Sequence, residues 1–393
     1  MDAVTSKDER LLPARADFLT ELGGLGLDAM LKAAEGADPR AADRALSKRA
    51  LGLEDVAVLL SAPRENIGED LAEAAFGATL RSFGRSVLLY APCYLSSYCV
   101  NHCRYCGFNF TMPITRRWLD PDRALGEIRH LAGRGFRRVL LVAGEAPAMV
   151  DTGYLREVIR RSRDLVPEID LEVGPVGEKV YRCWNEAGAG GVVCYQETYD
   201  RLAYAYLHPR GPKRRYEFRL RTAERAARAG MTRLGLGVLV GLGDPRRDIL
   251  SLIAHARFLE RAFPHARLTV SLPRLCHAVP SFEAARGVGD DEMLRLFCVL
   301  RLALPRAGMV VTTREPDRMR TLLLRRGVTQ MSAESLTVPG AYVEGAQDGG
   351  QFEVHDQRTV EEVVAELTRL GYEARWTSGE AGRTGPPSGA VSV

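Results

Sequence analysis

Three cysteines within eight residues constrain this chain more than any other feature of its sequence. The segment Cys99-Val-Asn-His-Cys103-Arg-Tyr-Cys106 has the spacing C-x3-C-x2-C, so one tight loop can direct three thiols toward a common centre. A 4Fe-4S cubane normally takes four thiolate ligands, and this loop contains no fourth cysteine. The spacing therefore predicts a 4Fe-4S cluster on these three residues, with one iron left open to an outside ligand.

Two other uses of these cysteines have to be weighed. One is a structural zinc site completed by His102 or a remote cysteine, and the other is three buried thiols without any metal. Zinc sites usually combine two ligand pairs that are well separated in sequence, and this chain lacks such a pattern. The remaining cysteines lie in apolar runs or beside strands, where a small apolar side chain packs well; they are Cys93, Cys183, Cys194, Cys276 and Cys298.

The apolar pattern after residue 85 predicts repeated βα units. Up to that point the chain is helical in character, with Phe76, Leu80 and Phe83 at helical spacing. From residue 86 onward, short apolar runs alternate with amphipathic helical stretches, which is typical of a parallel sheet. The runs are 87–90, 139–142, 169–173, 192–195, 234–240, 268–272, 309–312 and 328–331. Eight strands in this alternation predict a closed α/β barrel, the (β/α)8 or TIM-type fold.

This reading divides the 393 residues into four segments. We expect an N-terminal helical extension at 1–85, the barrel at 86–335, a segment packing on the barrel at 336–376, and a flexible tail at 377–393. Within the third segment, Thr359 and Glu362 have the spacing of a capping box, and Gly371 is placed to end the helix that follows.

The composition argues against several classes of partner. The first ten residues lack the apolar stretch of a secretory signal, which predicts a cytoplasmic protein. The apolar run at 234–243 is too short to cross a membrane. A net charge of +4 is mild, and the basic run Lys213-Arg214-Arg215 is brief, so we expect it to be solvated or to face a partner. We therefore predict neither nucleic-acid nor membrane binding.

The residues that follow the predicted strands point to an enzyme. Active sites of such barrels are built from the loops at the carboxyl ends of the strands. Tyr94 and the cysteines follow the first strand, Glu145 the second, Glu197 the fourth and Arg314 the seventh. A protein that used its cluster only as an iron-sulfur scaffold or a redox sensor would not need these side chains.

With Tyr105 directly before Cys106, the cysteine motif resembles that of the radical S-adenosylmethionine (SAM) superfamily. From about residue 60 to 376 the chain is similar to its aromatic amino acid lyases, above all to the 2-iminoacetate synthase family of thiazole biosynthesis. The resemblance rests on Tyr94-Leu-Ser-Ser-Tyr-Cys99, Tyr195-Gln-Glu-Thr-Tyr199, His208-Pro-Arg-Gly-Pro-Lys213, Ser271-Leu-Pro-Arg274 and Gln351-Phe-Glu-Val-His-Asp356. It implies that SAM binds the open iron and that tyrosine is cleaved between Cα and Cβ, giving 2-iminoacetate and p-cresol for thiamine.

The resemblance also implies roles for single residues. For SAM, it places Tyr105 near the adenine, Gly144 and Glu145 at the amino group, and Arg219 at the carboxylate, and we add Glu172 to the cofactor contacts. A solvated position remains the alternative for both residues. Carboxylates in loops, such as that of Glu145, are normally solvated, and Arg219 lies in a stretch rich in basic residues that could form an exposed helix face.

For the substrate, we expect Arg314, directly after the seventh strand, to bind the carboxylate, with Ser332 after the eighth strand and Tyr94 after the first completing the pocket. A guanidinium suits this task because it can donate two parallel hydrogen bonds to a carboxylate. The alternative is a structural ion pair between Arg314 and Glu315, although adjacent residues seldom pair well.

Two related activities bear on the choice of substrate. The tyrosine lyase of hydrogenase maturation carries a second cluster on C-terminal cysteines, whereas this chain has no cysteine after Cys298. The related tryptophan lyase lacks the continuation Cys106-Gly-Phe108 and the stretch from His208 to Lys213, so tyrosine is favoured over tryptophan or another aromatic amino acid. The implied partners are a flavodoxin or ferredoxin as reductant and a thiazole synthase.

Overall fold

The computed structural model describes residues 17–63, 68–275, 282 and 287–379. Before the first strand, five helices pack together and against the barrel: α1 (Phe18–Gly24), α2 (Leu27–Glu35), α3 (Ala41–Leu46), α4 (Leu53–Ser61) and α5 (Gly68–Phe83). In α5 the buried side chains include Leu71 and Ala75, while Phe76 and Phe83 are half-buried beneath arginine guanidinium groups. The predicted apolar stripe of α5 therefore lies at the edge of the buried face.

Eight parallel strands close into a barrel, which confirms the predicted fold. They are β1 (Ser86–Ser96), β2 (Arg138–Ala143), β3 (Glu168–Glu172), β4 (Gly191–Val193), β5 (Arg233–Gly237), β6 (Arg267–Ser271), β7 (Gly308–Val311) and β8 (Gln330–Ser332). Each strand pairs with the next along the chain, and β1 pairs with both β2 and β8. The carboxyl ends of all eight strands thus meet at one mouth.

Helices follow the strands and cover the outside of the barrel. They are α6 (Pro121–Gly133), α7 (Thr152–Ser162), α8 (Glu178–Ala187), α9 (Arg201–Leu207), α10 (Tyr216–Leu220), α11 (Thr222–Arg228), α12 (Pro245–Ala262), α13 (Asp290–Ala303) and α14 (Asp317–Leu324). Asp120 caps α6 and Pro121 occupies its first turn, because proline lacks the N–H that would have no partner there. None of the helices in the described ranges has the length and apolar character needed to span a membrane.

Some strand bounds differ from the prediction for identifiable reasons. β1 runs to Ser96, beyond the predicted 87–90, because its second half pairs with β2 around an irregularity between Tyr94 and Ser96. β4 is regular only to Val193, but the N–H groups of Cys194 and Gln196 still donate to carbonyl oxygens of β5. β5 ends at Gly237, and the predicted residues beyond it form only isolated bridges.

Two glycines of β5 make room for the side chains that fill the barrel. A Cβ on Gly235 would lie 2.8 Å from Cγ2 of Val193, and one on Gly237 would lie 2.5 Å from Cδ1 of Tyr195. At the opposite end, Asp170 accepts hydrogen bonds from Arg138 and Arg233, both at 2.8 Å. The interior between the strands is therefore packed, as barrels of this size require.

The C-terminal segment returns to the barrel and adds a ninth strand. It contains α15 (Ala341–Glu344), α16 (Val360–Arg369) and β9 (Glu373–Arg375). The predicted capping box is present at Thr359, and Gly371 has the left-handed φ of 76° expected after a helix. β9 pairs in parallel with the start of β1, a contact that no sequence pattern indicated.

The predicted division into four segments remains a prediction. Residues 380–393, most of the predicted tail, and Cys276 lie outside the described residues. The beginning of that tail is bound, however, because the backbone N–H and hydroxyl of Ser378 both donate to Oε1 of Glu168, at 2.7 and 2.6 Å.

His255 on α12 ties the N-terminal helices to the barrel and provides a test of the fold. Its ring stacks on Phe18 at 4.2 Å between centroids, and its Nδ1 lies 2.9 Å from the hydroxyl of Tyr199. Burial lowers the pKa of His255 to about 3. In the unfolded chain His255 is protonated below about pH 6.5, whereas in the folded chain it stays neutral down to about pH 3. The residue therefore lowers the free energy of unfolding progressively as the pH falls from 6.5 toward 3.

We expect the variant His255→Gln to show a weaker loss of stability in acid. Between pH 6 and 4.5, the free energy of unfolding of the unchanged protein should fall by about 1.4 kcal/mol per pH unit more than that of the variant. Urea unfolding at several pH values measures both slopes, and the slope comparison holds even if the substitution lowers stability overall. Parallel slopes would contradict a neutral, buried His255.

Candidate active site

The predicted cluster loop begins directly after β1 and lies at the barrel mouth. Cys103 is buried, while Cys99 and Cys106 are partly exposed. Burial raises the pKa of Cys103 to about 12, although the charge of Lys213 opposes this effect. The loop is held in a turn, because the N–H of Cys106 and the side-chain amide of Asn109 both donate to the carbonyl oxygen of Cys103, at 3.3 and 3.0 Å. Since burial disfavours the thiolate, bound iron would be what holds these sulfurs ionised.

The surroundings of the loop fit a cluster held by three thiols. A Cβ on Gly107 would lie 2.7 Å from the carbonyl oxygen of Gln351, and one on Gly144 would lie 2.3 Å from that of Tyr98. The loop is therefore packed tightly between the second strand end and the C-terminal segment. Within the described residues, no group of three or more histidine, cysteine or acidic side chains is arranged to hold a single metal ion, so the zinc alternative gains no support.

Glu145 is fixed beside the cluster loop. Its Oε2 accepts a hydrogen bond of 2.7 Å from Asn101, and its backbone carbonyl accepts one of 2.9 Å from Val100. Asn101 also approaches the sulfur of Cys99 at 3.7 Å. A Cβ on Gly174 would lie 2.5 Å from Cγ of Glu145, so a glycine at the end of β3 leaves space for this side chain. Glu145 is therefore held in place at the mouth, which disfavours the solvated alternative.

Tyr105 is fixed by a buried histidine. Its hydroxyl lies 2.8 Å from Nε2 of His208, whose Nδ1 lies 2.8 Å from the carbonyl oxygen of Tyr204. A carbonyl only accepts, so Nδ1 carries the proton and Nε2 accepts from the Tyr105 hydroxyl. Burial, assisted by the charge of Lys213, lowers the pKa of His208 to about 3 and keeps it neutral.

Arg219 belongs to a buried group of charges at the end of β4. Its Nε donates to the carbonyl oxygen of Tyr195 at 2.7 Å, and its Nη2 lies 3.4 Å from Oε1 of Glu197. Lys213 places its Nζ 2.6 Å from the same oxygen and 5.5 Å from the centre of the Tyr105 ring. Burial opposes the charge of Glu197, yet these two cations outweigh it and lower its pKa. The solvated alternative is therefore wrong for Arg219.

A second part of the mouth brings together the predicted substrate residues. Tyr94, Arg314 and Ser332 line one cavity, and Glu172 lines it as well. The hydroxyl of Tyr94 donates to Oε1 of Gln351 at 2.7 Å. The free volume of this cavity is about 50 Å³. The Gln351 side of the wall is a loop, whereas the opposite side consists of strands.

The structure disfavours the alternative ion pair between Arg314 and Glu315. Glu315 is instead bound by Arg274, whose Nε lies 2.9 Å from its Oε1. The guanidinium of Arg314 lies 3.5 Å from the centre of the Phe352 ring and faces the cavity. Arg314 therefore lies at the barrel mouth, and its role in binding a substrate stays a prediction.

Three polar groups of the cavity have no partner among the described residues. The hydroxyls of Thr313 and Ser335 are buried, and neither forms a hydrogen bond. The carboxyl group of Glu172 has no hydrogen bond within the described chain either, and burial together with the charge of Glu197 raises its pKa to about 7, while Arg314 opposes the shift. Buried polar groups are almost always paired, so these three groups indicate a cavity that takes a polar ligand.

Sequence reasoning missed several residues of the mouth. Lys213 was expected to be solvated, which is wrong, because its side chain is only 14% exposed and binds Glu197; Arg214 and Arg215 are exposed as expected. Asn101, His208 and Gln351 were not assigned a role. His208 and Gln351 did stand in the motifs that carried the family resemblance, and that was their only signal.

Comparison with known protein families divides the chain into two regions. Residues 93–256 match the model of the Radical SAM superfamily, and residues 271–373 match that of the Biotin and Thiamin Synthesis associated domain. The chain is 35% identical over 335 residues to the 2-iminoacetate synthase of Escherichia coli (strain K12), an alignment that covers 85% of this chain and 89% of the relative.

Solved structures give the same relationship. The FeFe-hydrogenase maturase HydG from Carboxydothermus hydrogenoformans has a TM-score of 0.85 at 30% identity, covering 92% of this chain and 85% of that chain. Another HydG structure has a TM-score of 0.86 at 31% identity, covering 92% and 81%. The match in structure extends across barrel and C-terminal segment alike.

Proposed function

Because the chain belongs to the radical SAM superfamily, whose members use a 4Fe-4S cluster and SAM, we propose that it is a lyase that cleaves tyrosine between Cα and Cβ. The products are 2-iminoacetate and p-cresol, and the first of these feeds thiazole assembly. The observation that carries the proposal is the shared mouth: the three-cysteine loop and a cavity lined by Tyr94, Arg314 and Ser332 open at the same end of the barrel.

The cluster and its cofactor would be held by the loop after β1 and its neighbours. Cys99, Cys103 and Cys106 supply the sulfur ligands, and Glu145 and Tyr105 are both fixed beside them. When bound, the cluster and SAM supply a 5′-deoxyadenosyl radical, chemistry that belongs to the cofactor rather than to the side chains. The task left to the protein is to position the substrate and to exclude water.

The substrate would lie across the cavity with its carboxylate on Arg314. Ser332, at the end of β8, and Tyr94, near the end of β1, would then border its amino group. This orientation turns the amino group toward the cluster loop, because Tyr94 packs edge-on against Phe108 of that loop at 5.9 Å. Fixed orientation matters here because a reactive radical attacks whichever hydrogen lies nearest.

A direct assay tests the proposal. Anaerobic protein with a reconstituted cluster, incubated with tyrosine, SAM and dithionite, should release p-cresol together with glyoxylate from hydrolysis of 2-iminoacetate. Lack of p-cresol in the presence of a loaded cluster would contradict the proposal. If in addition SAM left the electron paramagnetic resonance spectrum of the cluster unchanged, a scaffold or redox sensor would be the better reading.

Tryptophan is the second candidate substrate. Replacing tyrosine with tryptophan in the same assay distinguishes the two, because tryptophan cleavage would give indolic products instead of p-cresol.

A cytoplasmic location and a thiazole synthase as the acceptor of 2-iminoacetate complete the proposal, and both rest on the sequence and its resemblance.

The unpaired carboxyl group of Glu172 lies on β3, opposite β7 in the order of strands around the barrel. A tyrosine whose carboxylate is bound at Arg314, after β7, would direct its phenol hydroxyl across the mouth toward Glu172. We therefore assign Glu172 to the substrate rather than to SAM, as acceptor of a hydrogen bond from the phenol.

The variant Glu172→Gln tests this assignment through selectivity. The unchanged enzyme should bind tyrosine about 10 to 100 times more tightly than phenylalanine, since a hydrogen bond to a charged group contributes roughly 1.5–3 kcal/mol. The variant should lose most of this preference. Calorimetric titration of the SAM-bound enzyme with both amino acids measures it, and an equal loss of affinity for both would instead indicate contact with the shared amino group.

A further inference from the structure

Exposed apolar side chains are concentrated beside the cluster loop. Eight large apolar residues are exposed within the described ranges, and five of them lie in two segments, 98–110 and 202–206. These five are Tyr98, Val100, Phe110, Leu202 and Tyr206. Leu202 is 85% exposed and Tyr206 62%. Single exposed apolar residues are ordinary, but five of them within two segments indicate a candidate site of interaction.

Hydrogen bonds and ring contacts join the two segments into one surface. The backbone N–H of His102 donates to the carbonyl oxygen of Arg210 at 3.2 Å, and that of Arg104 donates to Leu207 at 3.1 Å. The guanidinium of Arg104 lies 4.3 Å from the centre of the Tyr206 ring. His102 in turn contacts the ring of Phe110 at 5.3 Å. The end of α9 is therefore bound to the loop that carries the cysteines.

The charged side chains of this surface are all positive. Residues 98–111 and 202–216 contain no aspartate or glutamate, while Arg104, Arg210, Arg214 and Arg215 are all exposed. None of these four arginines forms an ion pair within the described residues, whereas the exposed Arg123 pairs with Glu344 at 2.6 Å. The surface near the cluster thus combines unpaired positive charge with apolar area, a combination that favours an acidic protein partner.

We propose that this surface, formed by the exposed residues of 98–110 and 202–215, is the docking site of an acidic one-electron carrier protein that reduces the cluster. The inference rests on the proposed function, because breaking a carbon-sulfur bond of SAM consumes an electron. That electron has to cross the protein surface, and the loop that holds the cluster is itself part of this surface. In this complex, acidic side chains of the carrier would contact the arginines, and the surface around its redox centre would pack against the apolar residues.

The experiment separates docking from chemistry by using two reductants. Flavodoxin in its hydroquinone form serves as the carrier, and dithionite serves as a small reductant that needs no docking surface. Stopped-flow absorbance follows reduction of the cluster in the SAM-bound holoenzyme, without tyrosine. The double variant Arg210→Glu/Arg214→Glu is compared with Arg156→Glu/Arg160→Glu, whose exposed side chains lie on α7 outside the barrel mouth.

At low ionic strength, reversal of both mouth arginines should slow reduction by flavodoxin at least about tenfold, and added salt should slow the unchanged protein as well. Reduction by dithionite should stay within about twofold, and the α7 variant should behave like the unchanged protein. Leu202→Ser should weaken flavodoxin binding, while Leu322→Ser, at another exposed leucine, should not.

Three results would overturn the proposal. One is an equal effect of the mouth variant on both reductants, which would indicate damage to the cluster. Another is no effect on either. The third is a change from dimer to monomer in Leu202→Ser during sedimentation, which would assign the surface to a second copy of this chain. Because the readout is cluster reduction, failure of tyrosine cleavage alone would overturn the proposed function and leave this test valid.

Discussion

Replacing Cys103 with alanine should abolish cluster binding and p-cresol formation together. Cys103 is the most buried of the three ligands, packed against Leu239 and Leu242, so alanine can occupy its place without exposing a polar group. Two remaining thiolates cannot hold a cubane that normally needs at least three from this loop. We expect iron content to fall to background and the rate of p-cresol formation to fall at least about 10³-fold.

Cys93→Ala is the matched control. Cys93 is equally buried, but it lies within β1 and faces the core rather than the loop. Iron content, the absorbance spectrum of the cluster and the p-cresol rate should stay close to those of the unchanged protein. Retention of a full cluster in Cys103→Ala, or its loss in Cys93→Ala, would show that the wrong thiols have been assigned.

Replacing Arg314 with alanine should reduce kcat/KM for tyrosine by about 10² to 10³. Loss of one member of a buried, hydrogen-bonded charge pair costs about 2–5 kcal/mol, because the substrate carboxylate loses its partner in a cavity with little water. Most of the effect should appear in KM. The cluster should remain, and SAM should still be cleaved slowly without tyrosine, because Arg314 lies on the substrate side of the mouth.

Arg318→Ala provides the control, since that arginine is exposed at the start of α14, four residues further along. It should leave both kcat and KM unchanged. Arg314→Lys should restore only part of the affinity, because an ammonium cannot donate two parallel hydrogen bonds to a carboxylate. Full activity of Arg314→Ala would remove the substrate role assigned here.

The fold could be predicted because its signals are local. Each strand is a short apolar run, each helix has its own periodicity, and their alternation permits few topologies. The cysteine spacing is local too, which is why the cluster ligands could be identified without any knowledge of the fold. The capping box at Thr359 was visible for the same reason.

The rest of the site depends on contacts between distant segments, which single-sequence patterns do not contain. Tyr94 meets Gln351 across 257 positions, and Asn101 accepts from the backbone of Lys213 across 112. Lys213 looked like a member of a solvated basic run because only the fold places Glu197 beside it. β9 is likewise a three-residue strand whose partner lies almost 290 positions earlier, so no local pattern could reveal it.

The ninth strand and the segment before it complete the surroundings of the cysteine loop. β1 obtains its neighbours β8 and β9 only from the last part of the chain, and the loop behind it is braced by Gln351 through the N–H of Gly107. A ribosome delivers those residues last. During synthesis the three thiols therefore lie on an incomplete barrel wall, and we expect their loop to reach its final packing only after Gln351 and β9 have been made.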